Sequence, residues 1–207
     1  MSNLIKMDYI ITKKFIIMSL VYSMIFPVIM ILDIYRRDML VDFFVPLVFV
    51  TAPLACIMSK EDTKSVLILQ KMLPFSTKEF VGARYLFTLS LVVMSETILA
   101  IMKVVVYGHK DFREVVVGLL PTMMMFMICF AVYLAAYYWK GFSAAQIFYY
   151  SMVIVMIFGR YVLARFFTDL LDNTVSKAVF LILLVGIVAA SFILSCHFED
   201  NKKVDMK

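Results

Sequence analysis

Few residues in this chain could carry chemistry, and the most conspicuous lie inside long apolar runs: Glu96, Lys103 and Arg160. An ionised side chain at the centre of an apolar helix costs about 2.5–3.5 kcal/mol on membrane-insertion scales. Each must therefore face protein or water, find an opposite charge, or give up its charge. Glu96 and Lys103 stand seven positions apart, on one helical face but about 10 Å apart along the axis. That separation is too long for a direct ion pair without bent side chains, whereas a pair between Glu96 and Arg160 on different helices is feasible. Two roles fit such charges: a polar tie between helices, and a protonatable group on a transport path.

Other chemistry lacks its residues. The six glycines never take the spacing of a phosphate-binding loop, and the H-E-x-x-H, C-x-x-C and G-x-S-x-G patterns are missing. Cys56, Cys129 and Cys196 are odd in number and sit in apolar runs, where a cysteine is a small packing residue. His109 and His197 fall at the ends of different runs and read as interfacial residues. The sequence thus predicts no enzyme, metal site or cofactor site in this chain. The net charge of +5 suits anionic lipid headgroups, and no nucleic-acid motif competes with that reading.

These residues are positioned by a chain that is 64% hydrophobic over 207 residues, where soluble domains are nearer half apolar. The excess is gathered into six runs, at about 15–34, 39–58, 84–107, 115–138, 143–167 and 177–197, each near the roughly 20 residues that a bilayer-spanning helix needs. Strand alternation is absent. The expected fold is all-α: a polytopic membrane protein of six transmembrane helices, with residues 15–207 as one membrane domain. The first run is too long for a signal h-region and lacks a small-residue cleavage site, so it reads as an uncleaved span. In the leader, residues 1–14, Leu4, Met7 and Ile11 share a helical face, which reads as a short helix lying in the membrane interface.

Placing both termini inside puts twelve Lys and Arg residues in inner segments and six in outer ones, with Lys103 and Arg160 in spans, which accounts for all 20. This twofold bias predicts both termini on the cytoplasmic side. Tyr137, Tyr138 and Trp139 beside Lys140 then form an interfacial anchor at the inner end of span four. Pro27, Pro46, Pro53 and Pro121 lie within apolar spans or near their starts, where neighbouring helices can satisfy the freed carbonyls. Gly186-x-x-x-Ala190 and the small residues from Gly141 to Ala145 permit close helix approach. The methionine cluster at Met123, Met124, Met125 and Met127 reads chiefly as apolar filler.

The largest inner feature is residues 59–85, SKEDTKSVLILQKMLPFSTKEFVGARY. Ser59-x-x-Asp62 resembles a capping box, with Glu61 and Asp62 in the first turn. Val66, Leu69, Met72 and Leu73 follow as an apolar stripe, which Pro74 ends. Ser76-x-x-Glu79 is a second capping box, and Phe75 with Phe80 reads as a hydrophobic staple fixing the entry to span three. A plain connector needs only about 2–8 residues, so this longer one either lies on the membrane or docks on a soluble partner.

The leader NLIKMDYIITKK and the segment EDTKSVLILQKMLPFSTKEFVGARYL resemble small bacterial ABC transporter permeases of the type-2 exporter class. The pattern L-P-x-[ST]-x-x-x-x-V-x-x-[KR]-Y falls here on Leu73, Pro74, Ser76, Val81, Arg84 and Tyr85; Phe75 departs from the smaller β-branched residue more usual after the proline. In size and style the chain is similar to permeases of phenol-soluble-modulin-type peptide exporters. The resemblance implies an elbow helix over 1–14 and a coupling segment over 59–80 seated in a separate ABC ATPase, which binds the ATP and Mg. It also implies two permease copies, a homodimer in the simplest case, in a bacterial cytoplasmic membrane, exporting hydrophobic or amphipathic cargo such as toxin or antimicrobial peptides. Glu61, Asp62 and Lys64 would be polar docking residues, Val66, Leu69 and Met72 apolar anchors, and Pro74 and Ser76 the rigid joint into span three. A proton-coupled transporter working through Glu96, and a receptor or immunity protein that moves nothing, are the competing readings.

Overall fold

The computed structural model describes residues 2–31, 38–61, 75–107, 112–155 and 174–204. Six helices occupy them: α1 (Ser2–Ile31), α2 (Asp38–Glu61), α3 (Thr77–Tyr107), α4 (Phe112–Lys140), α5 (Phe142–Val155) and α6 (Thr174–Val204). Four contain apolar stretches long enough to cross a bilayer: Phe44–Glu61, Thr77–Val105, Gly118–Lys140 and Leu181–Asn201. These match expected spans two, three, four and six. Spans one (15–34) and five (143–167) extend beyond the described residues.

Helices α1 and α6 are inside-out by the standard of a soluble protein. On α1 the covered face carries Asp8, Thr12, Ser19 and Ser23, whereas Ile10, Ile17, Met18, Val21 and Ile25 are exposed. On α6 Ser191 and Ser195 are buried while Leu181, Ile182, Leu183, Val185, Ile193 and Leu194 point outward. Water would penalise this pattern; a hydrocarbon surround favours it, because exposed apolar surface then costs nothing and polar groups gain from meeting each other. The share of each span buried inside the protein runs from 61% in α2 to 17% in α6, so α6 offers most of its span to its surroundings.

Several hydroxyls in these helices are satisfied locally. Thr12 donates to the Asp8 carbonyl and Ser23 to that of Ser19, both at 2.6 Å; Thr51 reaches Leu47 at 2.7 Å and Ser95 reaches Val92 at 2.8 Å. The exposed Thr97 and Ser151 do the same, to Val93 and Phe148. A lipid environment supplies no hydrogen bonds, so a hydroxyl that folds back onto its own helix loses nothing there. Pro46 and Pro53 lie within α2 and Pro121 within α4, and the helices continue through them, as membrane helices tolerate.

The chain forms two compact units. One comprises Met1–Pro74 and Leu86–Phe126, the other Phe75–Tyr85 and Met127–Lys207, so α3 and α4 each contribute to both. In the first unit α1 packs on α2. Tyr9 docks α1 on α3: its hydroxyl lies 2.6 Å from Ser90 Oγ and its ring meets Phe87 edge-on, with centroids 5.0 Å apart. Val45, Leu99, Ala100, Val115 and Leu119 form a core where α2 begins, α3 nears its end and α4 begins. This is what successive antiparallel hairpins of helices produce.

Two expectations change here. The leader is not a separate element, because residues 2–31 form a continuous helix with no break near Lys14. Nothing in the leader stops a helix: it has no Pro or Gly, and Thr12, a residue that often disrupts, is bonded back to Asp8. Tyr137 and Tyr138 are buried rather than interfacial, leaving Trp139 and Lys140 exposed at the end of α4. Met125 is buried and Met123, Met124 and Met127 are half-buried, in line with a filler role.

Candidate functional site: the entry to the third helix

In the second unit the first turns of α3 are held by three successive devices. The first is the capping box. Ser76 Oγ accepts the Glu79 backbone N–H at 3.3 Å, and Glu79 Oε2 accepts the Ser76 backbone N–H at 3.1 Å and the Ser76 hydroxyl at 3.0 Å. The helix ladder starts directly after, with Phe80 N–H donating to the Ser76 carbonyl at 3.1 Å. The sequence reading of this start holds to the residue.

One turn on, the Arg84 guanidinium lies over the Phe80 ring, 5.2 Å from its centroid, and is only 3% exposed. Phe75, expected to staple Phe80, is exposed, and Phe80 serves instead as a platform for Arg84. A largely desolvated cation on an aromatic face is worth about 2 kcal/mol, which strengthens the first turn.

Next comes Tyr85. Its phenol oxygen lies 2.6 Å from Ser191 Oγ and 2.9 Å from Ser195 Oγ on α6, and 3.5 Å from the Ala131 carbonyl of α4. Ser191 itself donates to that carbonyl at 2.5 Å. One proton order uses every hydroxyl: Ser195 donates to Tyr85, Tyr85 to Ser191, and Ser191 to Ala131. The ring of Tyr85 also packs edge-on against Phe192, with centroids 5.5 Å apart. Interhelical hydrogen bonds of this kind average about 0.6 kcal/mol in a membrane bundle, with a maximum near 1.7. Here several share one phenol, so three helices are tied at one point.

The same contacts fix helix directions. Ala131 pairs with Ser191, and the rings of Trp139 and Phe198 lie 6.4 Å apart, so α4 and α6 run parallel. The α4–α5 junction is a single residue, Gly141, whose φ of 84° is left-handed. Its N–H donates to the Tyr137 carbonyl at 2.7 Å, and its own carbonyl accepts from Ala145 at 3.3 Å. Gly141 is therefore an αL helix cap, not one of the small residues for close helix approach that its neighbourhood implied. Ala145 is fully buried and keeps that packing role.

The other predicted site residues divide between described and undescribed positions. Asp62, Lys64, Val66, Leu69, Met72, Pro74 and Arg160 lie outside the described residues, and with Arg160 goes the expected Glu96–Arg160 pair. Ser59 does not cap a new helix: its hydroxyl bonds back to the Cys56 carbonyl at 3.2 Å within α2, which runs on to Glu61. A helix already formed through Met58 has no unsatisfied N–H at that point for a cap to serve. Glu61 is 5% exposed at the end of α2 and is not on an open polar face. Glu96 is 6% exposed in the first unit and Lys103 is half-buried, so the deep carboxylate faces protein as its cost requires. Sequence reasoning missed Ser191 and Ser195. Their signal was present as hydroxyls four apart in an otherwise apolar run, placed on one face.

Long apolar helices, inverted polarity and locally satisfied hydroxyls define a multi-pass helical membrane protein. The chain belongs to the ABC-2 family transporter proteins, whose family model matches residues 3–198. No curated protein and no solved structure matches it significantly. Membership makes it a membrane permease component of an ABC transporter, a family that works with an ABC ATPase subunit and is not itself the catalyst.

Proposed function

We propose that this chain is the permease subunit of an ATP-driven exporter that moves hydrophobic or amphipathic cargo, amphipathic peptides above all, out of a bacterial cell. A separate ATPase binds and hydrolyses ATP with Mg. Two copies of the permease enclose the path, and residues 59–80 couple it to the ATPase from the cytoplasmic side, with Lys64 and Asp62 in polar contacts and Val66, Leu69 and Met72 as anchors. Glu61, being buried, steadies the end of α2 instead of docking. Parallel pairing of α4 with α6 calls for one return crossing between them, which supports span five and the six-span count.

The observation that carries this reading is the tie between the capped start of α3 and two further helices. A push on the segment before Ser76 enters α3 through a start stiffened by the capping box and by Arg84 on Phe80. Tyr85 then passes it to α4 and α6 through Ala131, Ser191 and Ser195. A loosely connected loop would absorb the same push. The resemblance of EDTKSVLILQKMLPFSTKEFVGARYL to exporter coupling segments supplies the direction of transport.

The test is co-expression with a candidate ABC ATPase subunit, followed by reconstitution in vesicles. The proposal expects the two to co-purify, ATP to drive uptake of labelled amphipathic peptides into inverted vesicles, and peptide to raise ATP hydrolysis. Peptide movement driven by a pH gradient without ATP would instead favour a proton-coupled transporter using the buried Glu96. Tight binding of peptide with no movement under either condition would favour a receptor or immunity protein.

A further inference from the structure

Trp139 and Lys140 end α4 in a combination that the transport reading does not use. The apolar stretch Gly118–Lys140 stops at this pair. Trp139 is 56% exposed, Lys140 is exposed, and its ammonium lies 4.3 Å from the centre of the indole ring. The indole also rests near Phe198 of α6, with ring centroids 6.4 Å apart. The ring is thus fixed between two helices while its rim and the ammonium face outward.

An exposed indole is poorly placed in bulk water, and an ammonium is poorly placed in hydrocarbon. Both are satisfied only at the boundary, where the ring meets acyl carbonyls and the cation meets phosphate. The neighbouring chain limits where this boundary can lie. Tyr137 and Tyr138, just before the pair, are buried in protein, and Gly141, just after it, turns the chain into α5. Only Trp139 and Lys140 reach the surroundings at this joint from the end of α4.

We propose that Trp139 and Lys140 seat the phosphate of an anionic phospholipid, with the Lys140 ammonium as its counter-charge and Trp139 as the wall against which the upper acyl chain packs. The bound headgroup holds the α4–α5 joint at the membrane surface. This rests on α4 crossing a bilayer and does not depend on transport, ATP or the identity of any cargo.

Trp139 is the single tryptophan of the chain, so its fluorescence reports this site alone. The full chain is reconstituted in phosphatidylcholine vesicles containing a small fraction of brominated phosphatidylglycerol or, separately, the same fraction of brominated phosphatidylcholine. The attraction of one lysine to anionic headgroups, about 1 kcal/mol, corresponds to a factor of about five, so brominated phosphatidylglycerol should quench Trp139 as though about fivefold more abundant than it is. Lys140→Gln should reduce quenching to that of brominated phosphatidylcholine, and Lys140→Arg should keep the excess. Lipids brominated near the top of the chain should quench more than those brominated near its end. Equal quenching by the two lipid classes in the wild-type protein overturns the headgroup site. Stronger quenching by deep bromines, or water-like emission with little quenching by either, overturns the placement of the pair at the boundary.

Discussion

The phenol oxygen of Tyr85 lies 2.6 Å from the hydroxyl of Ser191 across 106 positions of sequence. This contact joins the residue that ends the capped entry of α3 to the middle of α6, and both partners sit in otherwise apolar helices. Tyr85→Phe keeps the ring against Phe192 but removes every bond of the hydroxyl, so thermal or denaturant unfolding in detergent should show a loss of about 1–2 kcal/mol. Combined with Ser191→Ala in a double-mutant cycle, the pair should show a coupling energy of about 0.5 kcal/mol or more. Strict additivity would mean that the contact contributes nothing.

Ser76→Ala removes the oxygen that accepts the Glu79 amide and the hydroxyl that reaches its carboxylate. Loss of such a cap costs about 1 kcal/mol. The cost should appear locally, as faster hydrogen exchange at the amides of Thr77 to Phe80, with the middle of α3 unchanged. Ser76→Asp retains an acceptor and should keep the slower exchange of the parent.

Two glycines should behave oppositely. Gly141 holds a left-handed φ of 84°, which costs an L-residue about 1–2 kcal/mol, so Gly141→Ala should lower the unfolding midpoint and Gly141→Asn should lower it less. Gly186 has nothing within 4 Å of where a Cβ would stand, so Gly186→Ala should leave the midpoint in place. A drop at Gly186 similar to that at Gly141 would show that its face is covered in the assembled protein.

What the sequence made legible follows from which signals are local. The apolar runs predicted α2, α3, α4 and α6 closely because length and hydropathy alone decide a span. The Ser76 start was readable because a cap is complete within four residues. The same motif misled at Ser59, where the preceding helix continues and the hydroxyl turns back to Cys56; a cap needs a free helix start, and sequence does not mark where the previous helix ends. Tyr137 and Tyr138 looked like an interfacial belt because composition cannot tell which side of a helix meets protein. The hydroxyls of Ser191 and Ser195, four apart, could mark a polar face on α6, but their pairing with Tyr85 depends on helices brought together by the fold.

Glu96 offers a test between modes of energy supply. It is buried in protein, and the proposed ATP-driven permease expects it to act as a polar tie between helices. A pH gradient alone should then move no peptide in the wild-type protein, and Glu96→Gln should leave the ATP dependence of export intact. Transport driven by the gradient and abolished by Glu96→Gln would place this chain among proton-coupled carriers.

The central claim is that the segment ahead of α3 transmits the work of the ATPase through a stiff joint. The most direct measurement is the amount of peptide exported per ATP hydrolysed in reconstituted vesicles, comparing the parent with the Pro74→Ala, Ser76→Ala double variant. The account predicts that the variant still binds the ATPase and still supports hydrolysis, while peptide moved per ATP falls. An unchanged ratio of transport to hydrolysis, with the joint shown to be loosened by hydrogen exchange, would contradict it.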